Sequence, residues 1–173
     1  MIKTINSVVL GVLFVALSAQ ITINAGPIPI SAQSLAVLLV GYFLGKKWGP
    51  LAIVLYIIAG GLGLPVFADR NAGWAVLAGG SGGFIYGFIL GAALLGYLGE
   101  KAWGKSLPKS LLAMFLGTVL IVGSGLIQLT YLYDFPSALE YGLYPFVWGA
   151  LIKIVIGALV MYYSSKMMRS EVD

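Results

Sequence analysis

The 173-residue chain has no cysteine and no histidine. Those two absences exclude disulfides, thiol catalysis, Ser-His and Cys-His dyads, and the usual zinc, copper and haem ligands. Charge is also scarce: six Asp and Glu side chains and ten Lys and Arg make up 9% of the residues. Hydrophobic residues account for 60%, and the mean hydropathy is +1.00. A chain of that composition has lipid as its solvent over most of its length. Six spans of about 20 residues would use it up, which leaves no room for a soluble domain. The expectation is one membrane domain over residues 1–173. The pI near 9.3 does not point to nucleic acid, because the basic residues are scattered along connections rather than gathered in a stripe.

Hydrophobic runs and breakers predict an all-α bundle of six transmembrane helices at about 5–23, 30–44, 50–62, 81–99, 111–131 and 144–165. The first run resembles a signal peptide, with Ala16-Leu17-Ser18 as a small-residue cleavage site, but it is longer than a typical signal core and is expected to be a retained helix. Asn24 to Pro29 break the chain, since two prolines flanking one residue enforce extended geometry. Gly45 to Gly49 end the second helix, and Pro50 suits the first turn of the third. Residues 66–80 form a Gly/Ala-rich outer loop with Asp69, Arg70, Asn71 and Trp74, long enough to suggest a function. A second outer loop covers 132–142. Gly79, Gly83, Gly87 and Gly91 at four-residue spacing read as a helix-packing stripe. The GGSGG of 79–83 lacks the Lys-Ser/Thr of a Walker motif, so the chain has no ATPase chemistry of its own.

With six spans, Lys3, Lys46, Lys47, Lys101, Lys105, Lys109, Lys166 and Arg169 share one side and Arg70 alone lies opposite. That bias predicts cytoplasmic N- and C-termini. The remaining cation, Lys153, interrupts the apolar run YPFVWGALIKIVIGALV of 144–160. A lysine at membrane depth costs about 2.5–3.5 kcal/mol on insertion scales, so a retained one usually faces the protein and meets an anion. Gly149, Ala150 and Gly157 put it on a small-residue stripe that admits other helices. A snorkelling lysine is the plainer alternative. At 1.5 Å per residue Lys153 lies about 12 Å below the Tyr144–Pro145 end, which is deep for that.

GPIPISAQSLAVLLVGYFLGKKWG, then YIIAGGLGLPVFA, then GGSGGFIYGF, and finally Pro145-xxx-Gly149-xxx-Lys153, together resemble the biotin-transporter S components, the BioY family of energy-coupling-factor (ECF) importers. The resemblance covers nearly the whole chain. It implies a six-helix substrate-binding subunit in the cell membrane that docks on one scaffold transmembrane subunit and two ATPase subunits. Gln33, Asn71 and Lys153 match the positions expected at the ligand. The family's usual acid three residues before the lysine is here Ala150, and an arginine soon after the Ser-Gly-Gly is here Ile85. Asp69 is then the nearest replacement acceptor for a urea N–H, and Trp74 and Tyr144 are candidate ligand contacts that also suit an interfacial belt. On the first helix Gly11, Val15 and Ala19 give a loose version of the expected partner-docking stripe. Gln128 reads as a packing hydrogen bond.

Three classes of function follow. The first is the substrate subunit of an importer, with biotin as ligand and lipoate or another ring-bearing carboxylate as runner-up. The second is an intramembrane enzyme, for which a Ser-Lys pair is the available dyad. The third is a ligand-free assembly subunit, which has no use for a buried lysine. No catalytic residue, metal or cofactor is expected.

Overall fold

The computed structural model describes residues 2–23 and 28–170. The elements run α1 (Ile2–Ser18), β1 (Thr22–Ile23), β2 (Ile30–Ser31), α2 (Gln33–Gly61), α3 (Trp74–Ala78), α4 (Gly82–Glu100), α5 (Leu107–Leu132), α6 (Phe135–Gly142) and α7 (Val147–Ser170). Short 3-10 turns lie at Ala68–Arg70, Trp103–Lys105 and Tyr144–Phe146. Among the described residues, four helical stretches are long and apolar enough to cross a membrane: α2, α4, α5 and the stretch from Phe135 to Met167. The shorter apolar stretch Thr4–Ser18 lies in α1.

The second and third predicted helices are the two arms of α2. Gly45 (φ 79°, ψ 176°) leaves helical geometry between them, a backbone conformation that glycine adopts without steric cost. The arms fold back on each other. A Cβ added to Gly49 would sit 2.7 Å from Gly41 Cα, and Gln33 bonds across to Tyr56. Residues 46–49, expected in the connection, are helical instead. Glu100 caps the turn, accepting from both the backbone N–H of Lys46 (3.1 Å) and its ammonium (3.1 Å).

Helix α4 lies across this hairpin. A Cβ at Gly41 would come within 2.4 Å of Ala92 O, and one at Gly96 within 2.4 Å of Gly45 C. Of the predicted glycine stripe, Gly83 and Gly87 face α5: a Cβ at Gly83 would meet Ser124 O at 2.5 Å, and one at Gly87 would meet Ile121 Cα at 2.9 Å; Gly91 lies against Leu38 and Ile121, and Gly79 falls before α4. Small residues thus let three backbones approach where larger ones would hold them apart.

Several boundaries need correction: α2 starts at Gln33 rather than 30, α5 at Leu107 rather than 111, and α7 spans Val147–Ser170 rather than 144–165. The first helix stops at Ser18 rather than near residue 23, because Thr22 and Ile23 pair antiparallel with Ser31 and Ile30. The predicted break over Asn24–Pro27 lies outside the described residues. The outer loop at 132–142 contains α6, whose N-cap Asp134 accepts from Ser137 N–H at 2.7 Å; that bond holds the Asp134 carboxyl below its usual range. Pro136 stands in the first turn of α6, where its missing N–H costs nothing. The loop at 66–80 holds the turn at Ala68–Arg70 and helix α3.

The expected docking stripe is also corrected. Gly11, Val15 and Ala19 are buried, and a Cβ at Gly11 would meet Leu44 and Val40 of α2 at 3.1 and 3.2 Å. Small residues are what allow α1 to lie on the hairpin, so this face is spent inside the chain. The exposed face of α1 carries Val9, Leu10, Leu13, Phe14 and Leu17.

Candidate ligand-binding site

A cavity of about 300 Å³ opens between the first arm of α2, the 66–80 segment, α4, α5 and α7. That is the lower end of the roughly 300–1,000 Å³ usual for small-molecule sites. Its walls are mainly apolar: Leu38, Phe67, Phe84, Phe88, Ile121 and Phe146. Phe84 and Phe146 stack with centroids 5.4 Å apart and planes 16° apart, which gives the cavity a flat aromatic side.

Polar groups converge at few points. Among the described lining residues Lys153 is the one charged side chain. Its Nζ donates to Ser31 O at 3.0 Å and to Ser34 Oγ at 2.9 Å. An ammonium has three donors, so one is left for a ligand. Among the described residues the one salt bridge is Lys46–Glu100, on a different part of the molecule, so the charge of Lys153 is not met by a carboxylate of this chain.

Gln33 is 4% exposed. Its Nε2 donates to Tyr56 Oη at 2.8 Å, and Tyr56 Oη in turn donates to Val66 O at 2.8 Å. Its Oε1 receives only a long contact from Ser31 Oγ, 3.5 Å. Asn71 lines the same cavity from the 66–80 segment, where its Nδ2 donates to Ala68 O at 2.8 Å. The structure therefore brings Lys153, Gln33 and Asn71 to one cavity. Ala150 and Ile85, the two positions that depart from the family pattern, line it too.

The other candidates lie elsewhere. Asp69 is outside the lining and accepts from Thr22 Oγ1 at 2.5 Å, which pins the loop to β1. Trp74 (65% exposed) and Tyr144 (63% exposed) are not among the lining residues. Gln128 does more than pack: its Nε2 reaches Gly79 O at 2.6 Å and Leu77 O at 3.2 Å, tethering the backbone that becomes the cavity wall at Gly79 and Gly80. Ser31, Ser34 and Tyr56 escaped the sequence reading. A serine in or beside an apolar run is too common to stand out, and Tyr56 is identified only by the fold-back that sets it opposite Gln33.

The 66–80 segment roofs the cavity with Phe67, Ala68, Asn71, Ala75, Val76, Gly79 and Gly80. Gln20 holds it at two points, donating from Nε2 to Phe67 O (3.2 Å) and accepting at Oε1 from Arg70 N–H (3.0 Å). Asp69 and Arg70 both sit at positive φ, 56° and 58°, a conformation that costs roughly 1–2 kcal/mol per non-glycine residue. Such strain persists only where surrounding contacts impose it.

Comparison with known proteins places the chain in a family. The BioY family model matches residues 1–170. The biotin transporter BioY of Thermotoga maritima is 42% identical over 147 residues, covering 84% of this chain and 86% of that protein. The probable biotin transporter BioY of Pyrococcus horikoshii is 31% identical over 158 residues, 91% and 93% of the two chains. A crystal structure of the S-component for biotin from an ECF-type ABC transporter superposes with a TM-score of 0.83 over 95% of this chain and 92% of that one, at 24% identity. The family match spans the bundle, the roof and the cavity alike, and the chain belongs to the BioY family.

Proposed function

We propose that this chain is the substrate-binding membrane subunit of an ECF-type importer, taking biotin from the external side and delivering it inward with a module of one scaffold subunit and two ATPase subunits. The observation that carries the reading is the cavity itself. It is apolar and aromatic, with one unneutralised cation, one amide oxygen at Gln33 and one amide at Asn71. Biotin offers the matching chemistry in a carboxylate, a cyclic urea and an apolar thioether ring. Lys153 is assigned to the carboxylate, Gln33 and Asn71 to the urea, and Phe67, Phe84, Phe88 and Phe146 to the rings and tail. The whole chain acts as one membrane domain with six crossings: α1, the two arms of α2, α4, α5 and α7. The basic bias puts the termini in the cytoplasm and the roof outside. Lipoate finds no support in the names of the relatives and is set aside. Ser34 and Lys153 form a Ser-Lys pair, but the relatives are named as transporters, and the pair is read as ligand-site preparation, not catalysis.

Two results test this. Purified protein should retain biotin that is released on denaturation and identified by mass. In vesicles, ATP-driven biotin uptake should require the scaffold and ATPase chains; robust ATP-driven uptake by this polypeptide alone would refute the division of labour, since it has no phosphate-binding motif.

The 66–80 segment acts as a lid over the bound ligand. Its backbone amides should become more protected from hydrogen exchange when biotin is added, while the amides of α5 before Thr118, which line no part of the cavity, change little. An unchanged lid would end the idea.

A further inference from the structure

The Tyr56 hydroxyl has a single hydrogen, and it is directed at Val66 O (2.8 Å). Towards Gln33 the phenol oxygen is therefore an acceptor, so the group it meets at 2.8 Å has to be the amide NH2 and not the amide oxygen. With Nε2 fixed on Tyr56, Oε1 is the atom left for the cavity that Gln33 lines. We infer that Tyr56 is a positioning residue for ligand specificity: it locks Gln33 so that the site offers an acceptor, which selects a ligand carrying N–H at that point and rejects one carrying a lone pair there.

The lock is well supported. Tyr56 is fully buried, its ring meets Phe67 edge-on (centroids 5.6 Å, 79°), and Phe67 lies so close over Gly60 that a Cβ there would overlap the ring. The same hydroxyl ties the roof to the hairpin at Val66, next to the cavity-lining Phe67. Gln33 orientation and roof position thus share one oxygen.

This inference rests on the biotin reading, and the test separates the two. The probes are biotin and its two cyclic carbamate isomers, in which one ureido N–H is replaced by a ring oxygen of nearly the same size. If wild-type protein does not bind biotin, the biotin reading fails. If it does, it should prefer biotin over one isomer by at least about tenfold, the scale of one buried hydrogen bond replaced by facing lone pairs. In Tyr56→Phe the amide is free to turn its NH2 to the cavity, so this preference should fall to within about threefold, with much of the change coming from better carbamate binding. A purely structural role would weaken both ligands together and leave their ratio intact, which overturns the inference. Gln33→Ala is read in parallel and decides the matter if Tyr56→Phe is not recovered folded: the preference should vanish in it as well, and a preference that survives means Gln33 presents no acceptor for Tyr56 to position.

Discussion

Replacing Lys153 by methionine should weaken biotin binding by about 30- to 150-fold while leaving the protein folded. Two unit charges about 4 Å apart attract by roughly 4 kcal/mol at an effective dielectric near 20. Stripping both ions of water consumes part of that, and a net of about 2–3 kcal/mol gives the stated range at 1.4 kcal/mol per factor of ten. The ammonium enters this exchange prepared, since Ser31 O and Ser34 Oγ hold two of its three donors and aim the third. Methionine removes a partly buried cation and so relieves a desolvation cost, which offsets the two lost hydrogen bonds. Arginine should rescue only in part. Its planar fork is larger than an ammonium, and Ile30 already stands 3.5 Å from where a Cβ on Gly149 would lie, one turn from Lys153. The deciding comparison is biotin against its carboxamide in titrations of both proteins. Wild type should favour the acid, and Lys153→Met should erase most of that difference. Ser31 touches both Lys153 and Gln33, through its carbonyl and its hydroxyl respectively, so the alternative is a lysine that shares the urea end with Gln33. Equal loss of affinity for acid and amide would establish that alternative and refute the carboxylate assignment.

Lys153 was legible in the sequence because a single charge in an apolar run of membrane length has few uses. Gln33 and Asn71 were legible mainly through the resemblance, since a polar residue near a helix end has many ordinary explanations. What the sequence did not carry was the third dimension of the hairpin. Residues 33 and 56 are 23 apart, and only the reversal at Gly45 sets them face to face, so Tyr56 read as one more apolar-run residue. The strand pair at 22–23 and 30–31 is too short to produce an alternation signal. On α1 the family resemblance pointed to Gly11, Val15 and Ala19 as a docking stripe, and small residues at that spacing suit a face for another subunit and one used within the chain equally well; in the structure Gly11 lies against Leu44 and Val40 of α2.

The tightest of these small-residue contacts should also be the least tolerant of change. Gly41 lies between the second arm of α2 and the backbone of α4, where an added Cβ would stand 2.4 Å from Ala92 O and 2.6 Å from Ala92 Cα. Those atoms belong to a helix backbone with small neighbours, so they cannot rotate aside as a side-chain end would. Gly41→Val must therefore push α4 off the hairpin, and overpacking of this kind costs about 3 kcal/mol or more. The melting midpoint in detergent should fall by about 6–12 °C, taking 2–4 °C per kcal/mol for a chain of this size. Biotin affinity should fall as well, because Leu38 on the hairpin and Phe88 on α4 both line the cavity. Gly41→Ala should give a smaller loss in the same direction. Gly123 supplies the control: nothing lies within 4 Å of a Cβ added there, so Gly123→Ala should be neutral or stabilise α5 by up to about 1 kcal/mol through helix propensity alone. Equal melting midpoints for Gly41→Val and Gly123→Ala would mean that the hairpin and α4 are not in the close contact on which the cavity depends.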